Sequence, residues 1–356
     1  MNAQLAPPRP QPADTALALL GSGNVGRALL QLLATPAARQ LSLVAIANSR
    51  QQVTSASGLP VSTSLARLSE HGVQRNEQAV LAALQASGAH RRIVIDATAS
   101  ADIAARHAQW MNAGIDVVSA NKLGNGGSLA SWQELHDAQK LGRSYGDSAT
   151  VGAGLPVLSS LHRLHRCGDS LISLRGVFSG SLSYLFNRYD GSRPFSAVLD
   201  EALAQGLTEP DPRVDLGGAD VARKLLILAR GAGQALAAHD VLVENLVPPA
   251  LREVPLAQFL ERRHELDASF AQRLHDARKQ GRVLRHMAQL DAQGRARVAL
   301  IAVDQRDPAA ALDASDNLFC LTTTRYHARP LVIQGPGAGP DITAQALLGD
   351  ILQFTS

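Results

Sequence analysis

The chain has 356 residues, of which 46% are hydrophobic and 18% charged, and its 34 basic and 31 acidic side chains leave a net charge of +3. That length exceeds what one hydrophobic core ordinarily serves, and the composition excludes a disordered chain. The near-balanced charge gives no field for nucleic acid, and the absence of a long uncharged apolar run excludes a membrane-spanning helix.

The first fourteen residues, MNAQLAPPRPQPAD, are proline-rich and lack a basic segment followed by an apolar one. They read as a flexible leader over 1–14 and not as a signal peptide. TALALL (15–20) follows as a buried strand, and GSGNVG places Gly21, Gly23 and Gly26 at the spacing G-x-G-x-x-G. In that pattern Gly21 allows a tight turn, Gly23 lets backbone approach a pyrophosphate, and Gly26 lets a helix pack close to its strand. Helical spacing then runs through Leu29, Leu30, Leu32 and Leu33 to a second strand, LSLVAIA (41–47). RIVIDAT (92–98) and DVVSANK (116–122) read as third and fourth strands, each ending in small polar residues. Apolar strands alternating with helices predict a Rossmann-type, doubly wound parallel sheet over 15–150, an α/β fold. Ligands of such sheets gather at the carboxyl ends of strands, where Thr98, Asn121 and Lys122 fall.

The second strand runs into Asn48, Ser49 and Arg50, where NAD-type sites usually carry an acid. With no carboxylate to repel a 2′-phosphate and a guanidinium to hold one, the expectation is NADP(H), with NAD(H) as the alternative. The competing reading leaves Arg50 solvating a loop.

From 151 the texture changes to an α+β domain, expected to hold substrate and dimer contacts over 151–320. TVGAGLPVLSSLHRL is a glycine-rich turn entering a helix, and LISLRGVFSGSLSYLFN is a strand, a turn and a helix. FSAVLDEALAQG and DVARKLLILARGAG are amphipathic helices, ARVALIAVD and HARPLVIQG are strands, and AALDASDN is a surface loop. GPGAGPDITAQALLGDILQFT closes the chain as a glycine turn and a helix, so that 321–356 is expected to return to the cofactor domain.

The densest group of reactive side chains lies in GLTEPDPRVDLGGADVARKLLILAR (206–230). Pro210 and Pro212 stiffen a loop carrying Glu209, Asp211 and Asp215, and a helix begins near Asp220. Asp220 and Lys224 are i and i+4 and share a face of that helix, along which Val221, Leu225 and Leu228 make an apolar stripe. Two readings stand: a surface ion pair of little consequence, or a carboxylate group beside a lysine that binds a substrate ammonium and tunes the lysine.

ATVGAGLPV, FSGSLSYLF, GLTEPDPRVDLGGADVARKL and GPGAGPDIT stand in the order and at the spacing of the homoserine dehydrogenases, and the chain resembles that family from about residue 15 onward. ANSR and DVARKLLILAR are most similar to the dehydrogenase half of the bifunctional aspartokinase–homoserine dehydrogenases. The resemblance implies interconversion of L-homoserine and L-aspartate 4-semialdehyde with NADP(H) or NAD(H), the branch step toward threonine, isoleucine and methionine, in a homodimer. The two cysteines, Cys167 and Cys320, form neither a metal-type spacing nor a disulfide framework and carry the expectation of a reducing, cytoplasmic compartment. The resemblance also implies that Gly23, Asn24 and Val25 form the cofactor turn, that Thr98 and Lys122 contact the nicotinamide half, and that Gly339 adds a cofactor contact. Glu209 and Asp215 match substrate-binding acids, and Lys224 matches the catalytic lysine with Asp220 beside it. The carbonyls of Val151, Ala153 and Leu155 match a monovalent-cation site, expected to hold sodium.

Two positions depart from the pattern. Ser148, beside Asp147, stands where some members carry a glutamate of the cation site, and Val214 stands where many carry an aspartate. The implied chemistry needs a proton at the substrate oxygen; the resemblance assigns Lys224 as acid and base, while the residues alone leave open which lysine moves the proton, with Lys122 polarising the same oxygen or sharing the relay and the two ammonium groups lowering each other's pKa. Cys167 invites comparison with an acylating semialdehyde dehydrogenase, but the long motifs point elsewhere; a non-catalytic dinucleotide sensor is the other alternative, and both lysines argue against it. His327 reads as structural. A sequence that runs from the leader to GDILQFTS with no further module carries the expectation of weak or no threonine inhibition.

Overall fold

The computed structural model describes residues 14–313 and 315–355, so the leader expected over 1–14 lies outside the described residues except for Asp14. The chain divides into two compact units. The first comprises Met1–Asn121, Glu134–Gly146 and Leu347–Ser356, and the second Lys122–Gln133 and Asp147–Ala346.

The first unit is built on seven strands: β1 (Thr15–Leu20), β2 (Leu41–Ala47), β3 (Gln51–Thr54), β4 (Val73–Gln74), β5 (Arg91–Asp96), β6 (Asp116–Ser119) and β7 (Tyr145–Gly146), in the order β4-β3-β2-β1-β5-β6-β7. Strand β1 pairs in parallel with β2 on one side and β5 on the other, and β6 and β7 continue the parallel run. Every residue of TALALL is buried, as expected of a central strand with both faces covered. Two details differ from the sequence expectation. Strands β3 and β4 pair antiparallel, which ends the parallel run at that edge. Strands β5 and β6 stop at Asp96 and Ser119, short of 98 and 122, because polar side chains capture the backbone there: Asp96 Oδ1 accepts from Thr98 N (2.9 Å) and Ser119 Oγ from Asn121 N (3.0 Å).

The second unit carries six strands: β8 (Leu171–Val177), β9 (Val241–Val243), β10 (Arg282–Leu290), β11 (Ala296–Asp304), β12 (Asp316–Thr323) and β13 (Leu331–Pro336). Their order is β13-β12-β8-β10-β11-β9, antiparallel throughout except for β11 with β9. Phe178 and Phe319 stack at 4.7 Å in its core, and Phe195 stacks on Phe270 at 4.0 Å. Strands β9, β10 and β12 go beyond the sequence expectation: β9 is only three residues long, β10 is interrupted by Arg285 and His286, and the start of β12 lies in AALDASDN, expected to be a loop.

The units are not contiguous halves. Residues 122–133 group with the second unit, and of 321–356 only Leu347–Ser356 groups with the first. The pairing of β13 with β12 holds the glycine turn at 335–339 to the second sheet. The last helix, Pro340–Thr355, reaches the first unit only with its final turns, where Asp350 lies against Gly146 so closely that a β-carbon there would stand 2.7 Å from Asp350 Cβ. Among the described residues no helix is long and apolar enough to cross a membrane.

Candidate active site

The glycine turn leaves the carboxyl end of β1, between the ends of β2 and β5, which is where the strand order reverses. Gly21 takes φ +103°, and its N–H donates to the Ala47 carbonyl (2.8 Å). A β-carbon on Gly21 would stand 2.5 Å from the Ala97 carbonyl oxygen, and one on Gly26 would stand 2.0 Å from the Gly21 oxygen. Those two positions therefore require glycine for packing. Gly23 differs, because a β-carbon there meets nothing within 4 Å. It opens the helix Asn24–Leu33 without a side-chain cap, and the first turn holds no acid. The amides of Asn24 and Val25 lie in the first turn of that helix, and a free helix N-terminus is an arrangement that binds phosphate.

At the end of β2, Asn48 Oδ1 accepts from the backbone N–H of Arg50 and of Gln51, both at 2.8 Å, forming a side-chain-closed turn. Ser49 and Arg50 are exposed on it. A second guanidinium stands at the same turn. Arg75 Nη1 donates to the Asn48 carbonyl (3.2 Å), and Arg75 N donates to the Arg50 carbonyl (2.9 Å). Sequence reasoning missed Arg75, because it lies 25 residues beyond Arg50 and only the β3–β4 pairing returns it. Thr98 follows β5, with its hydroxyl and its amide both on Asp96 (2.7 and 2.9 Å).

The second unit gathers the remaining residues. The helix Ala219–Gly231 starts one residue before Asp220, close to the expected position, and Val221, Leu225 and Leu228 are buried beneath it. Asp220 Oδ2 lies 2.8 Å from Lys224 Nζ, and its Oδ1 lies 3.0 Å from Lys122 Nζ. The i,i+4 pair is therefore half of a bridge and not an isolated surface contact. Burial alone would raise the Asp220 pKa, but the charges of Lys224 and Lys122 outweigh it and hold the carboxyl at about 2. Where the sequence suggested two ammonium groups acting directly on one another, the carboxylate lies between them.

Lys224 also donates to the Phe178 carbonyl (2.8 Å). An ammonium has three donors, and these two acceptors leave one for a ligand oxygen. The loop that carries Lys122 is fixed to the same helix. Gly126 approaches it so closely that a β-carbon would stand 2.7 Å from Arg223 Cγ, and Arg230 donates to the carbonyls of Asn125 (2.6 Å) and Gly127 (3.0 Å). Arg230 is buried, which lowers its pKa to about 10.

In the acidic loop, the Asp215 carboxylate is engaged: Oδ1 accepts from Ser181 Oγ (2.6 Å) and Oδ2 from the backbone N–H of Glu209 (2.8 Å). Asp215 thereby holds the SGSLSY turn and the Glu209 backbone together, leaving the Glu209 side chain exposed. Asp211 is a partner of Arg213 (2.7 Å) and stands apart from this group. In the glycine-rich turn, Ala153 takes φ +54°, the only non-glycine at positive φ among the described residues, between the carbonyls of Val151 and Leu155. The Leu155 carbonyl accepts from Val157 N (2.8 Å), and Asp147, beside Ser148, is buried with Asn125 and His162 as partners. Among the described residues no cluster of His, Cys, Asp and Glu is arranged for a metal. Gly339, at φ +140°, opens the last helix, its carbonyl accepting from Thr343. Cys167 and His327 are exposed, and Cys320 is buried.

A glycine turn at the switch point of a parallel sheet, with a Lys–Asp–Lys bridge in an accompanying α+β unit, defines the class of dinucleotide-binding α/β proteins. Family models refine this. Residues 21–145 match "Homoserine dehydrogenase, NAD binding domain", and residues 156–352 match "Homoserine dehydrogenase". The chain is 42% identical over 343 residues to the bifunctional aspartokinase/homoserine dehydrogenase 2 of Escherichia coli, covering 94% of this chain and 42% of the relative. It is 37% identical over 362 residues to the homoserine dehydrogenase of Emericella nidulans, covering 95% and 97% of the two chains. A solved Candida auris protein of unknown function superposes with a TM-score of 0.90 at 32% identity, covering 96% and 98%. The chain belongs to the homoserine dehydrogenase family. It spans about two fifths of the length of its bifunctional relatives.

Proposed function

We propose that the protein is a homoserine dehydrogenase that interconverts L-homoserine and L-aspartate 4-semialdehyde in the biosynthesis of threonine, isoleucine and methionine. The observation that carries the reading is the Lys122–Asp220–Lys224 bridge, two ammonium groups held on one ionised carboxylate. When bound, the dinucleotide supplies the hydride in one direction and accepts it in the other. Every other task falls to the chain.

Reduction turns the substrate carbonyl oxygen into an alkoxide that needs a proton. Lys224, with one donor left after Asp220 and Phe178, gives that proton and takes it back in the oxidising direction. Lys122 polarises the same oxygen. Asp220 keeps both lysines oriented. Glu209 holds the substrate ammonium, with Asp215 fixing the Glu209 backbone. The glycine turn with Asn24 and Val25 takes the pyrophosphate, Thr98 contacts the nicotinamide half, and Gly339 contributes a further cofactor contact.

NADP(H) is the preferred cofactor in this reading, and NAD(H) the weaker one. Asn48 closes the turn that presents Ser49 and Arg50, and Arg75 adds a second guanidinium to that place. A monovalent cation, sodium in this reading, suits the carbonyls of Val151, Ala153 and Leu155 with Ser148. The left-handed backbone at Ala153 is a strained conformation of the kind a bound ion repays. The cation would fix the turn that starts the helix Val157–Arg166. The reading includes a homodimer, measurable by light scattering, and a reducing, cytoplasmic compartment suited to two free thiols.

The test is the absorbance of reduced nicotinamide on mixing the protein with L-homoserine and either NADP⁺ or NAD⁺. Homoserine-dependent reduction supports the reading. No reduction with L-homoserine, together with phosphate-dependent reduction when L-aspartate 4-semialdehyde is supplied in its place, would assign the protein to the acylating semialdehyde dehydrogenases instead.

A further inference from the structure

Beneath the carboxyl edge of the first sheet lies a buried polar cluster that no step above uses. Asp96, the last residue of β5, and His107, on the helix His107–Asn112, are both fully buried. Asp96 Oδ1 accepts from Thr98 N (2.9 Å) and Thr98 Oγ1 (2.7 Å). Its Oδ2 accepts from His107 Nε2 and Asn121 Nδ2, both at 3.0 Å. Four donors meet the four lone-pair positions of one carboxylate. On the far side of the ring, His107 Nδ1 is 3.1 Å from the Tyr145 hydroxyl, so β7 is tied to the same network.

The cluster holds two chain turns at once. Thr98 lies just past β5, and Asn121 just past β6, the neighbouring parallel strand. Asn121 Nδ2 also donates to the Ser100 carbonyl (2.8 Å), and Ser100 N donates to Thr98 Oγ1 (3.1 Å), which closes the link between the two turns. Thr98 in turn packs on the glycine turn, where a β-carbon on Gly21 would stand 3.2 Å from Thr98 Cγ2. A buried carboxylate is costly unless all its acceptor sites are filled, and one that is filled has a single geometry.

We propose that Asp96 and His107 are positioning residues for the dinucleotide: through Thr98 and Asn121 they set the height of the sheet edge on which the nicotinamide half rests. The inference rests on the dinucleotide reading given above. Asp96 acts through Thr98, and His107 acts through Asp96 by supplying one of its four donors.

The test uses the full chain and three variants. Asp96→Asn keeps the shape but turns an NH₂ group toward donors. His107→Leu deletes the ring donor, and His107→Gln returns an N–H donor to Asp96 Oδ2. The readouts are the NADPH dissociation constant by nucleotide fluorescence, KM for NADP⁺, KM for homoserine, and the thermal midpoint. Asp96→Asn and His107→Leu are expected to weaken NADPH about tenfold while homoserine KM stays within about twofold, and His107→Gln to recover most of the loss. If Asp96→Asn does not fold, the two His107 variants decide. Equal affinity for NADPH in His107→Leu and wild type overturns the proposal. So does a loss that lowers the thermal midpoint and is no better in His107→Gln, since that is packing alone. A wild-type protein that binds no NADPH overturns the dinucleotide reading itself, a separate result from wild-type binding that the variants share.

Discussion

The Asp220 carboxylate lies 2.8 Å from the Lys224 ammonium and reaches Lys122 with its other oxygen at 3.0 Å. One residue in the first turn of a helix therefore holds two lysines in place. Asp220→Asn keeps the shape and removes the charge. It is expected to lower kcat by about tenfold to a hundredfold, with little change in affinity for the dinucleotide. Steady-state kinetics with homoserine at saturating cofactor measure this. The pH profile carries a further expectation. The Asp220 carboxyl is held at about 2, below its ordinary 3.8, so the bridge is complete above about pH 4 and is lost only as pH falls through about 2. No limb of the activity profile between pH 5 and 9 should shift on replacing Asp220 by a residue that stays ionised, such as glutamate.

The proposed preference for NADP(H) is tested at the turn after β2. Arg50→Ala is expected to raise KM for NADP(H) about three- to tenfold, the exposed position reducing what a charged hydrogen bond otherwise supplies. Arg75→Ala should act in the same direction, and the double variant should bring the two cofactors close to parity. KM for NAD(H) should barely move in all three. Equal weakening of both cofactors would remove these arginines from 2′-phosphate recognition.

Gly23→Ala separates folding from binding. Gly23 has φ −73°, and a β-carbon there meets nothing within 4 Å, so the protein should fold with an unchanged thermal midpoint. The methyl group would occupy the space through which a pyrophosphate approaches the amides of Asn24 and Val25. NADPH binding by fluorescence titration should weaken by about tenfold or more. Gly26→Ala, by contrast, should destabilise the protein, because its β-carbon would lie 2.0 Å from the Gly21 oxygen.

These glycines mark how far the sequence could be read. Their offset, the apolar strands around them and the long motifs of the second unit were legible, because each is a local pattern: a run of buried residues, a turn at fixed spacing, a lysine one helical turn from an aspartate. Arg75, Asp96, His107 and Arg230 were not. Each acts through a partner brought close only by strand pairing or by a loop folding back, as with Arg230 and the carbonyl of Asn125. Strand β10 was missed for a related reason, since Arg285 and His286 break its apolar pattern and find their places only in the folded core.

His286 gives a stability prediction. Its ring is buried, both nitrogens lack a hydrogen-bond partner among the described residues, and burial lowers its pKa to about 4. The unfolded chain, with an ordinary histidine near 6.5, binds the proton more readily in the interval between, so stability falls as pH drops from about 6.5 toward 4. The loss is on the order of 3 kcal/mol across that range. His286→Leu should flatten this part of the curve, as measured by urea unfolding at pH 7.5 and pH 5.

The central claim is that Lys224 moves the proton of a homoserine dehydrogenase, and the direct measurement is NADPH formation from L-homoserine and NADP⁺ by wild type and Lys224→Ala, with NADPH affinity titrated in both. Wild type should turn over homoserine, and the variant should lose about 10²–10⁴-fold in kcat while binding NADPH as before. Near-normal turnover in Lys224→Ala, or wild-type protein that reduces NADP⁺ no faster with homoserine than without it, would contradict the account.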